Sequence, residues 1–346
     1  MTYPLISVII PTYNSEGTLA LVLEAIKRQT YPKSKIEVLV VDGGSKDSTV
    51  KIARKYHAKI VKNDKVHQVF AKHLGFIKSK GKYIVHLDSD EVLENENSFK
   101  LKYLTFKKNK NVRAVVSSGY KSPIDFSSAN VIVNEYGDPF SFFLYRNSTT
   151  FGFYEKMMKR SGEIVLEDNE CFIIDQMNST VLPLIELSVM GYTIDKEYIK
   201  KIFPELENEP YLISHLYYMI ANKGGLFGFV KDDAVLHHST SSFKKYLKKV
   251  RSRVVNNVYK TEMGMSAFSG RDKYYPFWFK YKKYMFIPYS LSIIFPFIDG
   301  IHLAITRKKV VYLIHPILCL QVVVLVTYYY VIKSWGIKPE MRPWGL

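Results

Sequence analysis

Short apolar runs alternate with amphipathic segments through about the first 120 residues of the chain. Between the runs, apolar residues return every three or four positions, which predicts helices with one buried face. The runs themselves are rich in β-branched side chains and predict buried strands; they occupy residues 6–12, 38–41, 58–61 and 83–87. Repeated strand-helix order of this kind predicts a parallel sheet with helices on both faces.

Polar residues mark where the predicted helices begin. Asn14 or Ser15 is expected to cap the first helix, and Asp47 or Ser48 to open the second. A third helix is predicted roughly over 66–79, directly before the fourth strand.

Acidic residues follow two of the predicted strands. Asp42 ends the second strand before a Gly-Gly turn, and Asp88-Ser89-Asp90 follows the fourth. Loops at the carboxyl ends of parallel strands converge on a ligand crevice, so these side chains are expected to lie together. Two carboxylates one residue apart repel each other unless a cation lies between them, and Mg²⁺ or Mn²⁺ prefers such oxygen ligands. The alternatives are a solvated acidic loop and, for Asp42, an ordinary turn residue.

Four motifs in this order resemble the nucleotide-binding half of family 2 inverting glycosyltransferases with the GT-A fold: IIPTYN, VVDGGSKDST, AKHLGFIKSKGKYI and LDSD. The resemblance covers about the first 120 residues. It implies an α/β class, a Rossmann-like and mostly parallel sheet with flanking helices, and a nucleotide-sugar donor carrying UDP or GDP.

The resemblance also implies roles for residues near the nucleotide. Pro11, Tyr13 and Glu16 would line its pocket, with the Tyr13 ring against the base. Asp42 would accept hydrogen bonds from the base or the ribose.

For the diphosphate, the resemblance implies that Asp88 and Asp90 hold the divalent cation, with Ser89 between them at the rim. Where the family usually has Ala-Arg-Asn, this chain has Ala-Lys-His. Lys72 keeps the positive charge but lacks the guanidinium fork of arginine. His73 is expected to be a helix-surface residue.

An inverting transfer needs a general base, which the family takes from an acidic residue in the second half of the domain. Glu207 or Glu209, ahead of a predicted helix, is the first candidate, and Asp168 is the second. In each case the alternative is a solvated acidic cluster. His237 and His238 follow a predicted strand and are expected near the cation or the diphosphate, unless they are turn residues.

Composition narrows the class of protein. The chain has 346 residues, of which 47% are hydrophobic, enough for a sizeable core. Cys171 and Cys319 are too far apart in sequence to indicate a disulfide framework or a zinc site. The first core strand begins almost at residue 1, so no signal peptide is predicted and the catalytic domain is expected in the cytoplasm.

The net charge of +17 is concentrated between residues 244 and 283, where Glu262 and Asp272 are the acids. Residues 242–258 keep apolar side chains at helical spacing among lysines and arginines. This pattern predicts a basic amphipathic helix on an anionic membrane or a clamp for phosphates. Arg251 and Arg253 are expected to hold a lipid phosphate.

Two long apolar segments favour a membrane over nucleic acid as the basic partner. Residues 310–332 carry no formal charge and predict a transmembrane helix, whereas 285–305 is interrupted by prolines and by Asp299. The first segment is therefore expected to span or to form a re-entrant or interfacial hairpin. Two spans would place residues 307–309 outside, against the positive-inside tendency. The alternative is a buried hairpin of a soluble core.

These patterns predict a GT-A catalytic domain over 1–240, divided into a nucleotide-sugar half, 1–120, and an acceptor half, 121–240. Interfacial helices over 241–283, a membrane hairpin over 284–334 and a tail over 335–346 follow. The predicted function is transfer of a sugar to a lipid-linked acceptor, a polyprenyl phosphate or a lipid-linked glycan, at the cytosolic face of the cell membrane. A non-catalytic membrane protein with a degenerate nucleotide-binding fold is the alternative. A processive synthase is disfavoured because the chain lacks the Gln-x-x-Arg-Trp signature of those enzymes. A metal-dependent phosphatase is disfavoured because it would need a nucleophilic aspartate on the first strand, where this chain has Pro11-Thr12-Tyr13.

Overall fold

A computed structural model describes residues 2–259 and 271–339. The predicted interfacial segment 241–283 and the predicted tail 335–346 therefore lie partly outside the described residues. The chain divides into two compact units, Met1–Pro123 with Thr150–His238, and Ile124–Thr149 with Ser239–Leu346. The domain boundaries drawn from the sequence stay a prediction.

The strands all belong to the first unit. In chain order they are β1 (Ile6–Thr12), β2 (Ile36–Asp42), β3 (Lys59–Lys62), β4 (Tyr83–His86), β5 (Glu91–Leu93), β6 (Val112–Val116), β7 (Gly119–Lys121), β8 (Glu163–Glu167), β9 (Cys171–Asp175), β10 (Tyr192–Asp195), β11 (Leu226–Val230) and β12 (Ala234–His237).

The helices occur in both units. In chain order they are α1 (Leu19–Arg28), α2 (Thr49–Lys55), α3 (Gln68–Lys78), α4 (Ser98–Lys108), α5 (Ser128–Tyr136), α6 (Pro139–Tyr145), α7 (Tyr154–Arg160), α8 (Lys196–Ile202), α9 (Leu216–Asn222), α10 (Phe243–Tyr259), α11 (Phe277–Lys282), α12 (Phe286–Leu291), α13 (Ile294–Arg307) and α14 (His315–Ser334). Short 3₁₀ turns occupy Lys33–Lys35, Pro204–Glu207, Pro210–His215, Asp272–Tyr274, Lys283–Met285 and Val310–Ile314. Helices α5, α6 and α10–α14 belong to the second unit.

The core of the first unit is a nine-stranded sheet in the order β3-β2-β1-β4-β10-β6-β11-β9-β8. Strands β3, β2, β1 and β4 are parallel, so the carboxyl ends of β1, β2 and β4 lie at one edge. Beyond β4 the pairing is mixed, because β10 and β9 are antiparallel to their neighbours. A second sheet, β5-β12-β7, is small. The predicted α/β class with a central sheet and flanking helices is confirmed.

The local predictions in the first half hold except at one helix cap. β1 covers the predicted residues 6–12, and the predicted apolar stripe of α1 is buried. The cap prediction is wrong, since α1 begins at Leu19 after Thr18. Asn14 and Ser15 cannot cap it because their side chains bond neighbouring loops. Asn14 accepts from the Lys46 amide, and the Ser15 hydroxyl lies 2.9 Å from that of Ser89.

The second unit is helical within the described residues. One stretch in them, Val310–Ser334, is long and apolar enough to cross a membrane. Core helices of soluble proteins also reach this length and composition. The earlier apolar segment is broken, because Phe277–Leu291 and Ile294–Arg307 meet at a bend of 91°.

Candidate active site

The turn Asp88-Ser89-Asp90 follows β4 and is held from below by Glu91. One oxygen of the fully buried Glu91 carboxyl accepts from the Asp88 amide at 2.9 Å and from the Met190 amide at 2.7 Å. Its other oxygen accepts from the Tyr120 hydroxyl. Burial, together with the negative charge of Asp88, raises the pKa of Glu91 to about 8. Glu91 therefore fixes the backbone of the turn that presents both aspartates.

A lysine from α3 neutralises one of these aspartates. The Lys72 ammonium lies 2.9 Å from the Asp88 carboxylate, with side-chain exposures of 5% and 20%. A buried ammonium is costly without a partner, so the attraction to Asp88 offsets the desolvation of Lys72. The lysine that stands where the family usually has arginine thus lies next to Asp88, and its role toward a diphosphate stays a prediction.

The small sheet brings the predicted histidines to the second aspartate. Strand β12 pairs His237 with Glu91, and the His237 imidazole lies 3.8 Å from the Asp90 carboxylate. The His238 amide donates to the Asp90 carbonyl at 2.8 Å. The Tyr120 ring stacks on His237 with centroids 4.2 Å apart. Backbone pairing therefore places both histidines beside Asp90.

The loop after β1 joins the other two loops at this edge. Its Ser15 amide donates to the Thr49 hydroxyl at 2.7 Å, and its Ser15 hydroxyl meets Ser89. Pro11 is buried inside β1, and Tyr13 is half-buried beyond the strand end. Glu16 is exposed, and its carboxylate accepts from the Ser48 amide at the start of α2. The residues predicted to line the nucleotide pocket, Pro11, Tyr13 and Glu16, thus lie in or next to the loop after β1. The Glu16 carboxylate caps the start of α2.

Asp42 is buried, and its carboxylate is engaged within its own turn. It accepts from the Thr12 hydroxyl at 3.1 Å and from the Gly44 and Ser45 amides at 2.9 Å each. The Ser45 hydroxyl donates to it as well, at 2.5 Å. Four donors match the acceptor sites of a carboxylate, so the geometry favours the turn role that the sequence left open.

The candidate bases Glu207 and Glu209 are both exposed on the segment before α9. This segment is held to α3, because a His73 ring nitrogen lies 2.6 Å from the Leu206 carbonyl. His73 lies at the surface of α3 that faces this segment. The ring is half-buried and burial lowers its pKa. The acidic segment therefore lies beside the helix that carries Lys72.

Asp168 occupies the tight turn between β8 and β9, at the end of the sheet farthest from β3. Its carboxylate accepts from the Glu170 and Cys171 amides and lies 2.6 Å from the Lys108 ammonium. Hydrogen bonding from Lys108 lowers the pKa of Asp168 to about 2. A carboxylate so occupied and so weakly basic is suited to holding a turn, not to removing a proton.

The carboxylates after β4 fit a hard divalent cation in their chemistry. Among residues 2–259 and 271–339, no three His, Cys, Asp or Glu side chains converge closely enough to form a metal site by themselves. Mg²⁺ commonly uses one or two carboxylates and completes its shell with water and substrate phosphates. Asp88 and Asp90 supply that number of carboxylates.

Sequence reasoning missed Glu91 and Tyr120, which anchor the turn. In the sequence, Glu91 stands with Glu94 and Glu96 in what resembles a solvated acidic loop, but it opens the strand Glu91-Val92-Leu93, whose residues are all buried. That pattern was a usable signal. Tyr120 offered none, because its contacts come from distant parts of the chain.

The predicted phosphate-binding arginines lie in the second unit, on α10. The Arg251 Nε donates to the Tyr329 hydroxyl at 2.5 Å. Arg253 pairs with Asp138 at 2.9 Å and keeps about half of its side chain exposed. Their role toward a lipid phosphate stays a prediction.

Comparison with known proteins agrees with this geometry. Residues 7–163 match the family model "Glycosyl transferase family 2". Glycosyltransferase AglE of Haloferax volcanii is 40% identical over 95 residues, covering 26% of this chain and 31% of that protein. A Methanococcus voltae dolichyl N-acetyl-alpha-D-glucosaminyl phosphate 3-beta-D-2,3-diacetamido-2,3-dideoxy-beta-D-glucuronosyltransferase is 29% identical over 207 residues, covering 54% of this chain and 64% of that protein. The chain thus spans less than two thirds of either relative.

A solved structure supports the fold. The mannosyltransferase PcManGT from Pyrobaculum calidifontis, in complex with GDP-Man and Mn²⁺, superposes with a TM-score of 0.53 at 14% identity. The match covers 94% of this chain and 88% of that one. At this identity the likeness concerns the fold alone. The segment from residue 7 to residue 163 is therefore similar to glycosyl transferase family 2, and the fold is GT-A-like.

Proposed function

We propose that this chain is an inverting glycosyltransferase that moves a sugar from a UDP- or GDP-sugar to a lipid-linked acceptor. The observation that carries the proposal is the meeting of Asp88, Asp90, Lys72 and His237 at the carboxyl edge of the parallel strands. Nucleotide ligands bind at this edge in open α/β sheets.

On the donor side, Asp88 and Asp90 would hold a divalent cation, which supplies positive charge to the diphosphate as the sugar leaves. Lys72 adds a fixed positive charge beside them. His237 and His238 close the site behind Asp90, and Ser89 lies at its rim. Tyr13 and Pro11 would face the base, while Asp42 and Glu16 shape the loops around it.

On the acceptor side, Glu209 or Glu207 would remove the proton from an attacking hydroxyl, or orient an attacking phosphate, which is already ionised near neutral pH. Both lie on the segment fixed to α3, and both are exposed to an incoming acceptor. Asp168 is not proposed as the base, because Lys108 and its own turn occupy its carboxylate. Attack from the face opposite the diphosphate inverts the anomeric carbon.

Three features support a lipid-linked acceptor, a polyprenyl phosphate or a glycan built on one. The Methanococcus voltae relative is named for a dolichyl phosphate substrate. The described part of the chain contains an apolar helix of membrane length, Val310–Ser334. The basic helix α10 lies against it. We accordingly place the enzyme at the cytosolic face of the cell membrane, with 1–240 as the catalytic domain and no nucleic-acid partner.

The test is hydrolysis of a UDP- and GDP-sugar panel by the full chain, with Mn²⁺, Mg²⁺ or chelator. We expect cation-dependent release of one nucleoside diphosphate, and its loss in Asp90→Asn. Asp168→Asn, which changes the same group far along the sheet, should keep the activity. If no donor is hydrolysed and no nucleotide binds, the chain is the non-catalytic alternative.

The base is tested separately with a lipid-linked glycan acceptor, whose attacking hydroxyl must lose a proton. Glu209→Gln and Glu207→Gln each remove a carboxylate without changing its size. One of them should abolish transfer while leaving donor binding intact. Full transfer by both variants would exclude this segment as the source of the base.

A further inference from the structure

The second unit exposes more apolar surface than a soluble helical unit normally leaves in water. On α13 one stripe is buried and the opposite stripe is exposed, with Ile294, Ile298 and Ile305 each more than half exposed. On α14 the exposed stripe includes Ile317 at 65% and Val324 at 66%. A contiguous apolar area of this kind marks an interaction site with protein or membrane.

The inner side of these helices is mostly apolar but also makes polar contacts with other helices of the same unit. Asp299 on α13 pairs with Arg146, which follows α6, at 2.6 Å. His315 on α14 lies 3.0 Å from the hydroxyl of Tyr136 on α5. Helices α13 and α14 are therefore packed elements of a folded unit, not an independent hairpin in lipid.

The basic helix α10 follows α14 along much of its length. The Arg251 Nε bonds the Tyr329 hydroxyl at 2.5 Å, and Lys333 donates to the Val258 carbonyl at 2.6 Å. A groove between the two helices is lined by Lys244, Leu247, Lys248, Arg251, Gln321 and Leu325. Exposed cations thus lie beside the middle of α14.

This arrangement opposes a transmembrane position for α14. A lysine or arginine at the centre of a bilayer costs several kcal/mol, about 3 each on insertion scales. At the interface, in contrast, the same cations meet anionic headgroups while the apolar stripes enter the acyl region. Aromatic and basic residues also alternate on α11, as in interfacial belts, where Phe277 and Trp278 are more than half exposed.

We propose that the second unit docks onto one leaflet of an anionic lipid bilayer and does not cross it. The exposed apolar stripes of α13 and α14 enter the leaflet, and the cations of α10 contact its headgroups. Because the surface beside the apolar stripes is positively charged, it favours an anionic bilayer over a second copy of this chain as the partner. This mode of attachment is independent of the sugar transfer proposed above, because its readout needs no donor.

Topology is tested by labelling with a membrane-impermeant maleimide in sealed inverted membrane vesicles that contain the full chain. The targets are Lys308→Cys, between α13 and α14, and Lys338→Cys, beyond α14. We expect both to react from the exposed cytosolic side without permeabilisation. If only one reacts until the vesicles are opened, α14 crosses the membrane and the proposal is overturned.

Lipid selectivity is tested by flotation of the full chain with phosphatidylcholine vesicles, with and without phosphatidylglycerol. Anionic lipid should strengthen binding, and each of Lys244→Gln and Lys248→Gln should weaken it about five-fold. Lys55→Gln on α2, an exposed lysine of the first unit, is the matched control and should bind as the parent does. Binding that ignores anionic lipid, or self-association without vesicle binding, would overturn the proposal.

Discussion

Two acidic turns of the first unit look alike in sequence and differ in structure. The turn after β4 reads Asp88-Ser89-Asp90-Glu91, and the turn between β8 and β9 reads Asp168-Asn169-Glu170. Each has a lysine ammonium within 3 Å of an aspartate, at 2.9 Å from Asp88 and 2.6 Å from Asp168. Lys72 is 5% exposed, whereas Lys108 is 25% exposed.

The difference lies in what surrounds each turn. The first turn packs on the buried Glu91 carboxyl, and side chains from α3, β7 and β12 contact the turn or that carboxyl. In the second turn, the carboxylates are bound by backbone amides of the turn itself and by surface lysines. An exposed ion pair contributes little to stability, while breaking a buried one is costly. An acidic sequence motif thus indicates a functional site only where side chains from distant elements of the fold contact it.

The largest predicted effect comes from removing the charge at the first turn. Asp88→Asn leaves the Lys72 ammonium buried without its partner and removes a carboxylate from the proposed cation site. We expect donor hydrolysis to fall about 10²–10³-fold, comparable to the loss of one electrostatic group in other active sites. Steady-state rates over a range of Mn²⁺ concentrations measure it.

Asp168→Asn is the matched control for that loss, since it makes the same change at the other turn. Its rate should stay within about two-fold of the parent. Equal losses in both variants would remove the distinction between the turns.

A second prediction concerns the buried support of the first turn. Glu91→Leu leaves the Tyr120 hydroxyl and the amides of Asp88 and Met190 without their acceptor. Each unsatisfied buried group costs about 1–3 kcal/mol, so a clear drop in the thermal unfolding midpoint is expected. Glu91→Gln keeps one acceptor oxygen and should lose less.

The control for this variant is Glu170→Leu, at the exposed turn. It should leave the unfolding midpoint nearly unchanged. Glu91→Leu with the stability of the parent would mean that the first turn does not depend on its buried carboxyl.

Much of the first turn could be predicted, because it depends on local pattern. The apolar run that forms β4 placed Asp88 and Asp90 correctly at the carboxyl end of that strand. Glu91 and Tyr120 escaped prediction, because they meet only through the pairing of β5 and β7 with β12. The cap of α1 failed for the same reason, since loops distant in sequence engage Asn14 and Ser15.

The inclusion of residues 124–149 in the second unit was also beyond sequence reasoning. Helices α5 and α6 are joined to the C-terminal helices by long-range pairs, such as the 2.8 Å contact between Glu135 and Arg307. Nothing in the local sequence pattern of residues 124–149 indicates these contacts with the C-terminal helices.

The smallest predicted effect belongs to the second turn, and it depends on pH. Hydrogen bonding from Lys108 holds the pKa of Asp168 at about 2, below its ordinary value of 3.8. A carboxyl whose pKa is lower in the folded state stabilises the protein above the unfolded value and loses that effect as pH falls toward the folded value. Because the pair is exposed, Asp168→Asn should lower the free energy of unfolding by less than about 1 kcal/mol at pH 7. Unfolding curves of parent and variant should therefore converge between about pH 4 and pH 2, and a gap that persists there would show that Asp168 acts through its turn hydrogen bonds instead of its charge.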